Sequence, residues 1–423
     1  MNVLYERCCG IDVHKASIVA CLITPDITGT PKKEIRRFST MTQDLYALRD
    51  WLRSEGCTHV AMESTGVYWK PIFNILEGEF EIFVVNARDM KAVPGRKTDM
   101  YDAEWIADLL RHGLLKPSLI PTAEQRQLRD LTRYRTCLTQ ERTRSANRIQ
   151  KVLEDANIKL AVVATDLNGV SAHDMLDAIV RGEENPDVLA SMARGKLKNK
   201  HDELVRALEG KVKTHHRFML AELLTHIDFL DDAISRISKE IEEQLRPFED
   251  LVVLLDTIIG VGRILAQIFL AEFGLMIDHF PSHGHLASWA RMCPGQDESA
   301  GKRRSGKTEK GNKWLRRALV EAAHAAARSP KSYLAGQYRR IAARRGSKKA
   351  AVAVGHSIIV IAYHMLKENK PYHDLGSMYF DERDKARVER RLVKRLNNLG
   401  YAVDLKPVLN DQKREVKLKI KTK

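Results

Sequence analysis

Acidic residues with the types and spacing of a metal site stand at four places in the first third of this 423-residue chain. Asp12 interrupts one apolar run, and Glu63 ends another. Asp99 and Asp102 follow three residues apart, where a helix is predicted to begin, so both lie on one helix face. The four carboxylates form a candidate all-oxygen site suited to Mg²⁺ or Mn²⁺.

Such a site would catalyse phosphoryl transfer, because two ions about 4 Å apart activate the attacking oxygen and stabilise the leaving one. Each acid also has a plainer interpretation. A lone Asp12 is compatible with an exposed strand residue. Asp99 and Asp102 have the spacing of a helix cap followed by an acidic first turn. The metal interpretation depends on the four acids falling at matching points of one fold.

A second candidate group lies in a basic loop of the C-terminal half. Ser299 precedes a dense run of cations, which would hold a scissile phosphate and favour attack by the serine oxygen. Taken alone, a serine in a basic loop is more often a hydrogen-bonding partner of phosphate. The cations predicted to contact DNA or RNA backbone are Lys302, Arg303, Arg304, Lys307, Lys310, Lys313, Arg316 and Arg317.

Charge and composition agree with a nucleic-acid partner. The net charge is +15 and the sequence pI is about 9.5, which favours a polyanion. Six scattered cysteines without a CxxC pair indicate reduced residues of a cytosolic protein. The first residues lack a basic region followed by a long apolar run, so no signal peptide is expected, and the apolar stretch 251–277 carries three charges. We therefore predict a cytoplasmic, nucleoid-associated prokaryotic protein without membrane contact.

The order of elements predicts how the acids are positioned. Residues 8–13, 17–23, 36–40, 59–63 and 81–86 have strand patterns, and helices are predicted from Thr42, Val67 and Asp99. This βββαβαβα order matches the ribonuclease H-like fold, in which the first and fourth strands are neighbours. Asp12 and Glu63 would then meet at one end of the sheet.

Four regions are predicted along the chain. They are an α/β ribonuclease H-like domain (1–120), coiled-coil helices with a helical insert (121–248, insert 161–215), a mainly helical serine-bearing domain (249–376) and a charged tail (377–423). A heptad seam in the helix predicted from about Arg217 to Leu245 indicates either an antiparallel intrachain pair with helix 123–157 or a dimer contact. Ser171 is the predicted cap of an insert helix, and Gly260 and Gly262 form a candidate phosphate-binding turn.

Several blocks together resemble a known family. The motifs are GIDVHK (10–15), MESTGVYW (62–69), KTDMYDA (97–103), FPS (280–282), LASWA (286–290), SAGK (299–302) and KGNKWLRR (310–317). They resemble the DEDD transposases of insertion-sequence family 110, including its 1111 subgroup. The resemblance spans about residues 9–376. It implies a RuvC-like ribonuclease H-like domain, a C-terminal transposase domain and recombination of donor and target DNA.

The resemblance also implies roles for single residues. Asp12, Glu63, Asp99 and Asp102 would be the metal ligands, and Ser299 the nucleophile joined to DNA. Ala300 departs from the family's usual Ser-Gly, which leaves Ser305 as a rival. A structured guide RNA and a homo-oligomer, a dimer or tetramer, are further expected partners. Two alternatives stay open from the residues: a RuvC-like junction nuclease that uses water, and a non-catalytic nucleic-acid-binding protein.

Overall fold

The computed structural model describes residues 2–26, 30–64, 66–86, 102–167, 169–294, 297–299, 302–305, 308 and 311–405, with backbone only in 297–299 and 302–305. The chain forms two compact units, Met1–Thr122 and Ala123–Lys423, called unit 1 and unit 2 here. The predicted combination of a mixed α/β region with a largely helical region is confirmed. The division of residues 121–423 into three parts stays a prediction.

Unit 1 is built on a five-stranded sheet of order β3-β2-β1-β4-β5. β1 pairs antiparallel with β2 and parallel with β4; β2–β3 is antiparallel and β4–β5 parallel. The described elements follow the predicted order: β1 Cys8–Val13, β2 Ser17–Pro25, β3 Pro31–Ser39, α1 Thr42–Ser54, β4 His59–Glu63, α2 Trp69–Leu76, β5 Glu81–Val85 and α3 Asp102–Arg111.

Each face of this sheet has its own apolar core, because successive strand residues point to opposite sides. Ile11 and Met62 belong to the face packed against α1 and α2. Cys8 and Ala61 belong to the opposite face, which packs against α3. The sheet therefore lies between helices on both sides, and α3 covers the face on which even-numbered β1 residues lie.

Gly10 is the point of closest approach between β1 and α3. A Cβ atom at Gly10 would lie 2.3 Å from the Ala103 carbonyl oxygen and 2.3 Å from the Ala107 amide nitrogen. Both neighbours are backbone atoms, which cannot yield by a side-chain rotation. Only glycine therefore permits α3 to rest this close to the strand that carries Asp12.

Unit 2 is mostly helical. Its described helices are α4 Ala123–Asp155, α5 Leu160–Val163, α6 Val170–Val180, α7 Pro186–Ser191, α8 His201–Leu208, α9 Thr214–Leu245, α10 Glu249–Asp256, α11 Arg263–Glu272, α12 His283–Trp289, α13 Lys313–Ala327, α14 Tyr333–Arg345, α15 Ser347–Glu368, α16 Tyr379–Arg383 and α17 Lys385–Asn398. Short 3₁₀ helices lie at Gly195–Lys200, Arg246–Phe248 and Gly274–His279. Two short strands, β6 Asp297–Ser299 and β7 Lys302–Ser305, form an antiparallel hairpin.

The long helices α4 and α9 pack as an antiparallel pair within the chain. Ile149 and Leu153, near the end of α4, share a core with Leu220 and Leu224, near the start of α9. Farther from those ends, Leu138 packs against the middle of α9. The heptad seam of α9 therefore packs against α4 of the same chain. This is the antiparallel intrachain pair, one of the two arrangements that the sequence predicted.

A buried carboxylate joins three helices of unit 2. Glu272, at the end of α11, is fully buried. Its oxygens accept hydrogen bonds from Arg133 Nε at 2.7 Å, Arg133 Nη2 at 2.8 Å and Asn312 Nδ2 at 2.6 Å. Arg129 Nε lies 3.6 Å from the same carboxylate. Burial lowers the pKa of Arg129 to about 10, so its guanidinium stays charged at neutral pH.

Asn312 connects this carboxylate to the first turn of α13. Its Oδ1 accepts hydrogen bonds from the amide nitrogens of Trp314 and Leu315, both at 3.1 Å. The residue thereby caps the helix while its Nδ2 donates to Glu272. The Glu272 network consequently fixes the position of the first turn of α13 and of the cations that lie there.

Helix α15 is apolar enough and long enough to cross a membrane by composition, with a mean hydropathy of 1.5 in its best window. Half of that window is buried inside the protein. Ile358, Ile359 and Ala362 are fully buried, and the Tyr363 hydroxyl donates to the Phe280 carbonyl at 3.0 Å. These contacts are those of a core helix of unit 2.

Ser171 does not cap its helix as predicted. Helix α6 begins one residue earlier, at Val170, and Gly169 is its N-cap without a side-chain hydrogen bond. The Ser171 hydroxyl instead accepts the amide N–H of Arg194 at 2.9 Å. A hydrogen bond to a segment 23 residues away therefore replaces the predicted cap. The spacing of residues around Ser171 does not indicate such a contact.

Replacing Gly10 with alanine should lower the free energy of unfolding of the full chain by about 2 kcal/mol, because the new methyl group displaces the α3 backbone. Gly284→Ala is the control, since the Cβ there would meet only the Ser282 hydroxyl, at 3.5 Å. Urea denaturation measures both. Equal stability of the two variants would contradict the close approach.

Glu272→Gln should destabilise unit 2 by about 3 kcal/mol, because it leaves two arginines without their buried counter-charge. Glu249→Gln removes an exposed bidentate pair with Arg263 and should change stability little. Chemical denaturation of the full chain compares them. A Glu272 variant as stable as the Glu249 variant would show that the buried network does not hold the helices together.

Candidate active site

Asp12 and Glu63 lie beside each other at one edge of the sheet. β1 and β4 are parallel neighbours, with Gly10 opposite Ala61 and Ile11 opposite Met62. Asp12 and Glu63 are the next residue of each strand. The sequence-based prediction that the first and fourth strands are adjacent is therefore confirmed, and their acids occupy equivalent positions.

Both acids also lie on the face covered by α3. Asp12 is two residues from Gly10, whose Cα faces the α3 backbone, and Glu63 is two residues from Ala61 in the α3-side core. A strand repeats its side-chain direction every two residues. The two carboxylates therefore share one face of the sheet as well as one edge.

Asp102 reaches the same edge from the helix. Ala103 lies against Gly10, and the Ala107 carbonyl accepts a weak hydrogen bond from Cys8 Sγ at 3.6 Å. Arg111, at the far end of α3, accepts the Leu4 amide at 2.9 Å. Helix α3 therefore runs antiparallel to β1, and its first residue, Asp102, lies at the Asp12 end. Asp99 lies outside the described residues.

The surroundings of Asp12 differ from the sequence-based argument in one respect. Its side chain is 26% exposed, and one oxygen lies 3.0 Å from Nε2 of His14. The carboxylate is therefore neither deeply buried nor unpaired, and the cost of burial alone does not demand a metal. The case for a metal site rests on the convergence of Asp12, Glu63 and Asp102.

This donor set fits a hard divalent cation. Carboxylate oxygens from two strand ends and a helix start are the ligands that Mg²⁺ and Mn²⁺ prefer. Two cysteines of unit 1, Cys8 and Cys57, lie toward the other end of these strands. Burial raises the pKa of Cys8 and of Cys57 to about 12, so these thiols stay protonated at neutral pH.

A second group with metal-ligand chemistry lies in unit 2. Asp155, His215 and His216 bring their ligand atoms within 4.8 Å of one another. However, His216 Nδ1 accepts the Lys213 amide at 3.2 Å, so its proton resides on Nε2, which lies 2.8 Å from Asp155. That hydrogen bond holds the pKa of Asp155 below its usual range. The arrangement is that of a helix cap, which a metal on Nε2 would disrupt.

The two candidate serines occupy opposite ends of the β6–β7 hairpin. Ser299 is the last residue of β6 and pairs with Lys302, so it adjoins the turn. Ser305 is the last residue of β7 and pairs with Asp297 at the open end. Ser299 is thus placed at the tip of a short hairpin, and Ser305 at its base.

The described members of the predicted basic cluster lie in β7 and at the start of α13. Lys302, Arg303 and Arg304 lie in β7, and Lys307 and Lys310 lie outside the described residues. The remaining members open α13: Lys313 and Arg317 are exposed, and Arg316 is half-buried. Sequence analysis missed what anchors this helix, the bond between Asn312 and Glu272. The only local sign of this bond in the sequence was a charged residue, Glu272, at the end of the apolar helix α11.

The base of the loop between α12 and α13 is closed by a tight contact. A Cβ atom at Gly311 would lie 2.5 Å from Arg291 Cβ and 2.9 Å from the Ala290 carbonyl oxygen. The segments that flank the hairpin are therefore held together where they leave the helices. This contact limits how far the start of α13 can move from the end of α12.

The candidate phosphate-binding turn has a structural role. Gly260 has a φ of 93°, and a Cβ atom there would lie 2.4 Å from the Ala322 carbonyl oxygen. This glycine is explained by packing of the α10–α11 turn on α13. Gly262 caps α11 and has nothing within 4 Å of its Cβ position. A phosphate role for the turn stays a prediction.

Comparison with known proteins agrees with both halves of the chain. Residues 9–158 match a family model of DEDD type described as "Transposase", and residues 252–339 match "Transposase IS116/IS110/IS902 family". Together the two matches cover more than half of the chain. The first includes all four predicted metal ligands, and the second includes Ser299 and the basic cluster.

A curated relative is also named as a transposase. A Pseudomonas aeruginosa protein named "Probable family 20 transposase" is 25% identical over 285 residues, which cover 66% of this chain and 75% of that protein. A transposase cuts and rejoins DNA, and the DEDD type suggests a divalent metal. The shared carboxylate edge and the two family matches lead to one conclusion: the chain belongs to the IS110 family of transposases.

Proposed function

We propose that the chain is a metal-dependent recombinase of a mobile insertion element, which cuts and rejoins DNA through a carboxylate site and Ser299. The observation that carries the proposal is the convergence of Asp12, Glu63 and Asp102 at one edge and face of the unit 1 sheet. Asp99 completes the set by resemblance to the family.

The topology supports a ribonuclease H-like, RuvC-like identity for unit 1. A meander of three antiparallel strands continues into two parallel strands, and the first strand lies in the centre. This order places the ends of β1 and β4 side by side. We propose that residues 249–376 form the transposase domain with the serine, after the coiled-coil region 121–248, and that 377–423 form a charged tail.

In this proposal the four acids hold Mg²⁺ or Mn²⁺. The bound ions would supply charge to activate the attacking oxygen and to stabilise the leaving oxygen. The protein's own contribution is to fix the acids on rigid elements, as the Gly10 contact does for α3.

Ser299 would conserve the energy of the cut bond. Its hydroxyl gives up a proton as Oγ bonds to phosphorus, the bond from phosphorus to one deoxyribose oxygen breaks, and that oxygen takes up a proton. A hydroxyl of the incoming strand then reverses the exchange and frees the serine. The position of Ser299 beside the hairpin turn supports access to DNA, and the cations of β7 and α13 would hold the phosphates.

The partners follow from the family. Donor and target DNA are the substrates, and a structured guide RNA would select both by pairing. By resemblance to the family, we also propose that the chain acts as a homo-oligomer, a dimer or tetramer. The strongly basic composition supports binding of both DNA and RNA. The protein would act in the cytoplasm, in association with the nucleoid.

Trapping the protein–DNA complex under denaturing conditions tests the proposal. The wild-type chain, with Mg²⁺ and its DNA and RNA partners, should yield a covalent adduct that peptide mapping assigns to Ser299. Ser299→Ala should bind DNA normally but give neither adduct nor recombinant. Asp12→Asn should also give no adduct, because it removes a charged ligand and preserves shape.

Ser305→Ala is the matched control, since it alters the other serine of the same hairpin, and it should retain at least partial activity. An adduct on Ser305 would contradict the assignment of Ser299. Full cleavage without any adduct would contradict the serine mechanism and favour a nuclease that uses water.

A further inference from the structure

An arginine-lined cleft lies in unit 2, outside the hairpin and the basic cluster. It has a volume of about 840 Å³ and runs between α14 and the helices α16 and α17. Most of its lining follows residue 339, where the match to the family model ends. The arginines of the cleft are Arg339, Arg340, Arg344, Arg387 and Arg391.

The cleft has an excess of positive charge. Its two lining acids each have an arginine nearby: Asp381 lies 3.7 Å from Arg340, and Asp384 lies 3.7 Å from Arg387. In the described part of the chain, the other three arginines of the cleft have no carboxylate within 4.0 Å. Three guanidinium groups on one cavity thus carry charge that the protein itself does not neutralise.

Two contacts fix the shape of the cleft. A Cβ atom at Gly336 would lie 2.9 Å from the Ser377 carbonyl oxygen, so α14 and the segment before α16 approach backbone to backbone. Arg340 lies with its guanidinium carbon 5.7 Å from the Phe380 ring centroid. The floor is therefore closed, and at least one arginine is positioned before any ligand binds.

We propose that this cleft binds phosphates of duplex DNA, as a contact separate from the Lys302–Arg317 cluster; the proposal rests on the proposed recombinase function. Guanidinium forks match phosphate oxygens in pairs and remain charged at every physiological pH. Among the lining residues the one aromatic ring, Phe380, is already occupied by Arg340 and by Tyr333, which stacks on it at 4.9 Å. Stacking on bases is therefore not available from it, and the chemistry is that of sequence-independent backbone contact.

Binding to a DNA duplex, measured in EDTA over a range of salt concentrations, tests the cleft without any chemistry. The double variant Arg344→Gln/Arg391→Gln removes one unpaired arginine from each wall. The slope of log affinity against log salt should fall by about two units, with a tenfold or greater loss of affinity at about 0.1 M salt. Arg344→Lys/Arg391→Lys should restore most of the slope.

Arg345→Gln/Arg390→Gln is the matched control, because it removes the same charge from the adjacent residues of the same two helices, which do not line the cleft. It should leave the slope nearly unchanged. Equal losses in the two glutamine pairs, or no loss in the cleft pair, would overturn the proposal. Loss of affinity for a structured RNA but not for the duplex would overturn the assignment to DNA.

The outcome is separable from that of the recombinase proposal. Adduct formation on Ser299 is measured at saturating DNA with Mg²⁺, whereas the cleft is measured by affinity in EDTA. A cleft variant that forms adduct only at higher DNA concentration supports both proposals. Absence of adduct in the wild type, with the slope change intact, contradicts the serine mechanism alone.

Discussion

The edge of unit 1 that carries the candidate metal ligands depends on the contact between Gly10 and the backbone of α3. Without a Cβ atom, β1 allows Ala103 and Ala107 to approach where any side chain would collide. The antiparallel course of α3 then brings Asp102 to the end of the sheet where Asp12 and Glu63 lie. Three like charges repel one another, and rigid backbone packing is what keeps them together when no cation is bound.

In unit 2 a buried charge has the corresponding role. Glu272 holds Arg129 and Arg133 of α4 together with Asn312, and Asn312 in turn caps α13. A buried charge of this kind is retained only where its partners are complete, which restricts the helices to one arrangement. Unit 1 thus positions acids by close backbone packing, whereas unit 2 positions cations by a satisfied buried network.

Local patterns in the sequence were sufficient for β1 and β4 and for the acids at their ends, whereas β3 begins at Pro31, five residues before its predicted start. The bounds of β1 and β4 agree with those predicted, because each apolar run is followed by a polar turn. The heptad seam likewise identified one intrachain helix pair. Ser171 was misjudged because its partner, Arg194, is distant in sequence. The Glu272 network joins residues about 40 and 140 positions apart, and no local spacing indicates such contacts.

Whether Asp12, Glu63 and Asp102 bind a divalent cation together is tested most directly by titration of the full chain with Mn²⁺ alone, followed by electron paramagnetic resonance. The wild-type chain should bind one or two ions that Mg²⁺ displaces, and Glu63→Gln and Asp102→Asn should lose most of this binding. Asp108→Asn, on the same helix but paired with His112, should bind as the wild type does. Unchanged Mn²⁺ binding in both the Glu63 and Asp102 variants would contradict a shared metal site.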